Sequence, residues 1–312
     1  MGAAMAEPIR QADPDALFGG IEAGGTKFVC AIGDAAGNVI EESRFPTRDP
    51  ATTLREVCAF FAGARARHGR PRAYGVASFG PLNINPLSAG YGRMLKTPKI
   101  GWSDFDVRGV LELELGAPVG ISTDVNAAGL AEARWGSGKG LPTLVYVTVG
   151  TGIGAGVIHR GQPFFGLTHP EIGHIHVRRH PHDLEFAGVC PFHGDCLEGL
   201  ASGPAIFARG GQSLAAASPA EAIWDIEADY LGQLCAQLVG TLAPHRILLG
   251  GGVMQQERLF GSIRARMRQW LGGYNVQPEV HQDEFICAPG LGNQAGVKGA
   301  LALAIDAAPG RD

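Results

Sequence analysis

Long apolar runs are missing from this sequence of 312 residues. A helix that crosses a membrane needs about 20 consecutive apolar residues, and no segment approaches that length, so we expect no membrane span. We also expect no secretory leader, because Glu7, Arg10, Asp13 and Asp15 interrupt the apolar residues ahead of the first predicted strand. Residues 1–16 have the character of a disordered tail.

An excess of one charge is also missing, and closely spaced cysteines are scarce. The formal net charge is −4, which predicts neither a nucleic-acid partner nor a membrane surface. Of the six cysteines, only Cys190 and Cys196 lie close together in the sequence. The other four stand alone in apolar stretches: Cys30, Cys58, Cys235 and Cys287. This pattern predicts buried free thiols in a reducing compartment, and hence a cytoplasmic protein.

Two common nucleotide-binding signatures are absent as well. Neither the run at 24–27 nor the run at 136–140 fits the G-x4-G-K-[ST] pattern of a P-loop. The run at 150–154 lacks the G-x-G-x-x-G spacing of a dinucleotide fold, and a strand follows it. We therefore interpret the runs at 24–27 and 150–154 as hairpin turns. Such turns either bind phosphate through exposed N–H groups or simply close a hairpin, which also favours glycine.

The elements that are present occur in a repeated order. The first part is predicted as βββαβαβ, with strands at 17–22, 27–32, 39–45, 73–78 and 119–122, helices at 49–66 and 107–115, and a following helix at 126–135. The pattern then restarts with a strand, a glycine turn and a strand at 144–159. Helices at 219–242, 257–271 and 294–304 and strands at 246–249 and 285–288 follow. This order predicts an α/β fold with duplicated βββαβα units.

Four potential metal ligands are the most informative feature of the sequence. His174, Cys190, His193 and Cys196 supply two imidazoles and two thiolates, a set that suits tetrahedral zinc. Four protein ligands leave no open coordination position, so the zinc is predicted to be structural. His176 is the alternative to His174 as the fourth ligand. The other interpretation is a His-rich segment that holds ordinary buried thiols and surface histidines.

The motifs together make the chain resemble the ROK family of sugar kinases, in the actin-like ATPase superfamily, over about Phe18 to Ala304. The segments at 22–27 and 149–154 resemble its two phosphate motifs, and 249–253 resembles its adenosine motif. The segment at 123–128 resembles the one that carries the catalytic aspartate. Glu171 to His174 and the cysteine cluster resemble its sugar and zinc signature.

The resemblance implies a two-lobed, ribonuclease H-like fold. The N-terminal lobe would comprise 17–123 plus 293–312. The C-terminal lobe would comprise 124–292, with the zinc-binding segment inserted at 171–198. Soluble sugar and ATP would be the ligands, and a homodimer the assembly.

Roles for single residues also follow from the resemblance. Asp124 would be the base that activates the sugar hydroxyl, although an aspartate there is equally suited to cap the following helix. Glu22 would act on Mg²⁺ through water. The sugar would bind to Gly80, Pro81, Asp124, Glu171, His174 and Glu198. The nucleotide would bind to Gly24, Gly25, Thr26, Lys27, Gly150, Thr151, Gly152, Pro204, Gly250, Gly251 and Gly252.

The sequence departs from the usual family pattern at two positions, and the second departure bears on the expected sugar substrate. Glu22 stands where the first phosphate motif usually begins with Asp, which keeps the carboxylate but lengthens its reach by one methylene. His193 replaces one cysteine of the usual three, and with the segment at 97–102 this resembles the fructokinase branch. We therefore expect transfer of phosphate to the 6-hydroxyl of D-fructose.

The same family offers alternatives to fructose phosphorylation. The alternative within the enzymes is a glucokinase or an N-acetylhexosamine kinase. A sugar-responsive repressor would need a helix-turn-helix domain before the first phosphate motif, and only 17 residues precede Phe18. An inactive sugar sensor would be expected to have lost Asp124 or one of the glycine turns.

Overall fold

The computed structural model describes residues 15–218, 220–274 and 277–309. Fourteen of the sixteen residues of the predicted disordered tail lie outside the described part, and so does Pro219, the predicted start of a helix that is described from Ile223 onward. Among the described residues, no helix combines the length and the apolarity that a membrane crossing requires. The chain forms two compact units, each built on its own five-stranded sheet.

The first unit comprises Met1–Asn83, Ser88–Asp124 and Val297–Asp312, as far as these are described. Its elements are β1 Leu17–Ala23, β2 Lys27–Asp34, β3 Val39–Pro46, α1 Pro50–His68, β4 Tyr74–Ser78, α2 Val107–Leu115 and β5 Val119–Thr123. Helix α3 Asp124–Trp135 follows and belongs to the second unit from Val125 onward. Strands β1 to β3 form an antiparallel meander, and β4 and β5 extend the sheet in parallel with β1, so that the order is β3-β2-β1-β4-β5.

A row of three glycines lets the last helix of the chain lie directly on this sheet. Gly20, Gly75 and Gly120 are paired across β1, β4 and β5. A Cβ atom on Gly75 would lie 2.0 Å from the carbonyl oxygen of Ala300, and one on Gly120 would lie 2.6 Å from that of Leu303. Side chains at these positions would therefore push the helix away from the sheet.

The second unit comprises Ile84–Leu87 and Val125–Gly296. Its elements are β6 Thr143–Val149, β7 Ile153–His159, β8 Gln162–Pro163, α4 Leu197–Ala201, α5 Gly203–Gly210, α6 Ile223–Leu242, β9 Arg246–Gly250, α7 Arg258–Leu271 and β10 Ile286–Cys287. The last helix of the chain, α8 Ala295–Ala307, belongs to the first unit from Val297 onward. The sheet of the second unit has the order β10-β9-β6-β7-β8, with β6 antiparallel to β7 and parallel to β9. The largest apolar core of the described residues surrounds this sheet and the long helix α6.

The two sheets have the same strand order. Counting along each sheet, β3, β2, β1, β4 and β5 of the first correspond to β8, β7, β6, β9 and β10 of the second. The predicted α/β duplication is therefore confirmed. The predicted element limits differ from the observed ones by a few residues, and α3 begins at Asp124 rather than at residue 126.

Candidate active site and metal centre

One edge of the first sheet brings several predicted site residues together. The parallel strands β1, β4 and β5 end in register, since Ala23 pairs with Ser78 and Ser78 pairs with Thr123. The first glycine turn follows β1, the segment with Gly80 follows β4, and Asp124 follows β5. Neighbouring strands lie about 4.8 Å apart, so the three segments start within about 10 Å of one another.

Glu22 and Asp124 interact electrostatically at this edge. Burial of the Glu22 carboxyl raises its pKa, and the nearby negative charge of Asp124 raises that pKa further, while Lys27 lowers it. Two carboxylates that repel one another favour a cation between or beside them. The pair could therefore hold a hydrated divalent cation.

The first glycine turn is held by Thr47, the residue that follows strand β3. Gly24 N–H donates to the carbonyl of Lys27 at 3.0 Å, which closes the hairpin. The Thr47 hydroxyl donates to the carbonyl of Gly24 at 2.6 Å, and Thr47 N–H donates to the carbonyl of Thr26 at 2.9 Å. The side chains of Thr26 and Lys27 remain exposed, so the turn has a fixed backbone and free polar groups.

In the second unit, three segments predicted to bind nucleotide converge. The turn between β6 and β7 is closed by Gly150 N–H, which donates to the carbonyl of Gly152 at 2.9 Å. Gly203 N–H, at the start of α5, donates to the carbonyl of Gly150 at 2.7 Å and brings Pro204 to the turn. Gly251 adopts φ 91° and packs so closely that a Cβ there would lie 2.4 Å from the Val149 carbonyl.

The four predicted zinc ligands form one cluster in the second unit. One ligand atom from each of His174, Cys190, His193 and Cys196 lies within 4.8 Å of the other three. His174 Nδ1 is 3.5 Å from Cys196 Sγ and 3.8 Å from Cys190 Sγ, and His193 Nδ1 is 3.7 Å from Cys190 Sγ. Zinc bonds of about 2.0 Å to nitrogen and 2.3 Å to sulfur in a tetrahedron place such atoms about 3.6 Å apart. The donor set and its spacing therefore fit zinc.

A tight turn presents three of these ligands. Cys190 N–H donates to the Gly194 carbonyl at 3.2 Å, and Gly194 N–H donates back at 2.9 Å. Gly194 has φ 68°, a conformation that favours glycine. Leu197 N–H, next to Cys196, donates to the Ile175 carbonyl at 2.9 Å, so the turn is joined to the segment that carries His174.

His176, the alternative fourth ligand, lies outside this cluster. Its ring centroid is 6.4 Å from that of His193, whereas the His174 centroid is 5.1 Å away.

The sugar-site residues predicted from the sequence did not include His169. Its Nε2 lies 2.8 Å from Glu171 Oε1, and this hydrogen bond lowers the pKa of Glu171. The only sequence signal was the two-residue spacing across Pro170.

A buried polar network supports the chain between His174 and Cys190, and no sequence pattern predicted it. Asp183 accepts two hydrogen bonds from Arg209, at 2.7 and 2.9 Å, and one from the Tyr230 hydroxyl at 2.7 Å. Arg209 also lies over the ring of Phe186 at 4.3 Å. These contacts attach the segment to α5 and α6, because Arg209 and Tyr230 belong to those helices.

Comparisons with known proteins agree with this architecture. A fructokinase from Zymomonas mobilis subsp. mobilis is 43% identical over 294 residues, which cover 93% of this chain and 97% of that protein. A fructokinase from Pediococcus pentosaceus is 42% identical over 92% of this chain and 97% of its own length. The crystal structure of the ROK hexokinase from Thermus thermophilus matches with a TM-score of 0.77 at 27% identity, covering 92% of this chain and 97% of that one. The family model described as ROK family matches residues 18–307, and the chain belongs to the ROK family.

Proposed function

We propose that this chain is a fructokinase, which transfers the γ-phosphoryl group of ATP to the 6-hydroxyl of D-fructose. The observation that carries the proposal is the identity of 42–43% to two fructokinases over more than nine tenths of each chain. The glycine turns and the acidic pair Glu22 and Asp124 are the groups that such a reaction needs.

Asp124 is the proposed catalytic base. Its carboxylate takes the proton of the 6-hydroxyl as that oxygen forms its bond to the γ-phosphorus. The bond from the γ-phosphorus to the bridging oxygen breaks, and ADP leaves with the electron pair. Assistance by such a base contributes on the order of 10²–10⁴-fold. Its exposed position at the start of α3, beside the ends of β1 and β4, supports this role.

The nucleotide phosphates are proposed to bind to the two glycine turns. Mg²⁺ would neutralise charge on the phosphate oxygens. Glu22 would hold it through water, since the carboxylate beside Asp124 is suited to a hydrated cation. Pro204 and the turn of Gly250 to Gly252 would contact the adenosine, and their convergence on Gly150 supports that assignment.

The sugar is proposed to bind beside the zinc cluster. His174 faces the other ligands with Nδ1, which leaves Nε2 to bond to a sugar hydroxyl. Glu171 and Glu198 would accept hydrogen bonds from further hydroxyls, and Gly80 and Pro81 are also proposed as sugar-binding residues. Zinc would keep the ligand-bearing turn folded and take no part in the chemistry.

The two units are proposed to be the two lobes of the kinase, at 17–123 plus 293–312 and at 124–292. We also propose a homodimer on the strength of the family resemblance. Sedimentation equilibrium tests the second point directly, and a mass equal to one chain would overturn it.

A coupled assay that measures ADP release tests the function. Fructose, mannose, glucose and N-acetylmannosamine are compared at equal enzyme concentration with Mg-ATP. We expect the highest kcat/KM with fructose. A glucose value equal to or above that for fructose would favour the alternative, a glucokinase.

A further inference from the structure

The loop at 95–106, between β4 and α2, carries Lys99, which lies against the first glycine turn. The pairing of Leu82 with Met94 precedes the loop, and that of Arg93 with Asp106 closes it. Inside it, the Ser103 hydroxyl accepts from Thr97 N–H at 3.1 Å and donates to the Thr97 carbonyl at 2.9 Å. These bonds give the loop a defined shape.

Trp102 fixes this loop against the first sheet. Its side chain is 1% exposed, and its indole N–H donates to the Arg48 carbonyl at 2.8 Å. The ring lies 5.6 Å from Phe28 and 5.6 Å from Phe79, measured between centroids. Phe28 follows the first glycine turn, and Phe79 precedes Gly80. The loop is therefore anchored by residues adjacent in sequence to both predicted ligand-binding segments.

Lys99 extends from this anchored loop over the first glycine turn. Its Cε lies 3.2 Å, and its Nζ 3.8 Å, from the position that a Cβ on Gly25 would occupy. Trp102 N–H donates to the Lys99 carbonyl at 3.1 Å, so the backbone of the lysine is tied to the anchor. Lys99 is exposed, and no carboxylate of the described residues forms an ion pair with it.

We propose that Lys99 binds the γ-phosphoryl group of the nucleotide and stabilises its charge during transfer. A cation without a carboxylate partner that lies against a glycine turn forms a site for a multiply charged anion. Phosphoryl transfer is accelerated mainly by such fixed charges and by positioning. This inference rests on the proposed kinase function and adds a catalytic residue to it.

Lys99→Met tests the proposal, because methionine keeps an unbranched apolar side chain and removes the charge. Lys96→Met is the matched control, since Lys96 is an exposed lysine of the same loop and none of its atoms lies within 4 Å of the position that a Cβ on Gly25 would occupy. We expect Lys99→Met to lower kcat on the order of 10²-fold, with an unchanged melting temperature and an unchanged KM for fructose. Lys99→Arg should recover part of the loss.

Equilibrium binding separates a phosphate contact from a general loss of structure. Lys99→Met should bind a non-hydrolysable ATP analogue more weakly than the wild type does, whereas its affinity for AMP should equal that of the wild type. Equal kcat in Lys99→Met and Lys96→Met, or equal weakening of the ATP analogue and AMP, would overturn the role of Lys99. If the wild-type protein phosphorylates none of the sugars, the proposed function fails instead.

Discussion

The carboxylate of Glu198 accepts a hydrogen bond from the backbone N–H of Ile153 at 2.9 Å. Ile153 is the first residue after the second glycine turn, and Glu198 is the second residue of α4, two residues after the predicted zinc ligand Cys196. The same carboxylate lies 2.6 Å from the position that a Cβ on Gly152 would take. The metal-binding segment and the proposed phosphate turn are therefore held together by one side chain.

The structural and sugar-binding roles of Glu198 are separable by two substitutions. Glu198→Gln keeps an oxygen that accepts from Ile153, so we expect a normal melting temperature and a raised KM for fructose. Glu198→Ala leaves a part-buried N–H without its partner, which costs about 1–3 kcal/mol, and should also raise the KM for ATP. Thermal unfolding and steady-state kinetics of both variants check this. An unchanged KM for fructose in both would remove Glu198 from the sugar site.

Asp124→Asn should abolish chemistry while leaving binding intact. The amide is nearly isosteric with the carboxylate but cannot take the proton of the sugar hydroxyl. We expect kcat to fall on the order of 10²–10⁴-fold, with little change in affinity for ATP. Asp283→Asn, at an exposed position of the second unit, controls for the loss of one charge. Near-normal kcat in Asp124→Asn would mean that the residue only begins α3.

Loss of zinc should unfold the ligand-bearing turn and impair sugar binding. Cys190→Ser should lower the zinc content from one ion per chain, lower the melting temperature and raise the KM for fructose, because a structural zinc contributes folding free energy. Cys58→Ser, a half-buried thiol on α1, should change none of these. Metal analysis of protein purified without chelator provides the count. Full zinc content in Cys190→Ser would contradict the assigned ligand set.

His176→Ala distinguishes the two candidate fourth ligands. Because the His176 ring lies outside the cluster, we expect His176→Ala to keep its zinc and His174→Ala to lose it. The reverse result would exchange the two residues in the ligand set.

Local sequence patterns predicted the fold and the metal ligands, whereas contacts between residues far apart in the sequence could not be predicted from such patterns. Each of the patterns that were used spans only a few residues: the period of the strands, the glycine runs and the cysteine spacing. These patterns predicted the two sheets and the His/Cys cluster. The meeting of Gly20, Gly75 and Gly120 depends on strand register, and no local pattern specifies register between strands so far apart. The approach of Lys99 to Gly25 depends on where Trp102 packs, which is a property of the folded core. The helix α4 was missed because five residues are too few to show a helical period.

Glu22 provides a pH-dependent test of the acidic pair. Burial raises the pKa of its carboxyl in the folded state, so the folded protein holds that proton more tightly than the unfolded chain, where a glutamate titrates near about 4.3. The stability that this difference contributes is fully present below the unfolded pKa. It is lost as the pH rises through the raised folded pKa. Relative to its protonated form, the ionised Glu22 therefore destabilises the protein that holds no ligand.

Glu22→Gln cannot ionise, so it should escape this loss. Without Mg²⁺ and nucleotide, we expect its melting temperature to exceed that of the wild type at pH 8, and the difference to shrink as the pH falls toward 4. The same variant should lose most of its activity, because an amide does not hold a hydrated Mg²⁺ as a carboxylate does. Glu279→Gln, which removes an exposed carboxylate, controls for the change in net charge. A melting-temperature difference that does not depend on pH would show that Glu22 is not the group that destabilises the protein. Greater stability of Glu22→Gln without loss of activity would show that Glu22 does not hold the magnesium ion.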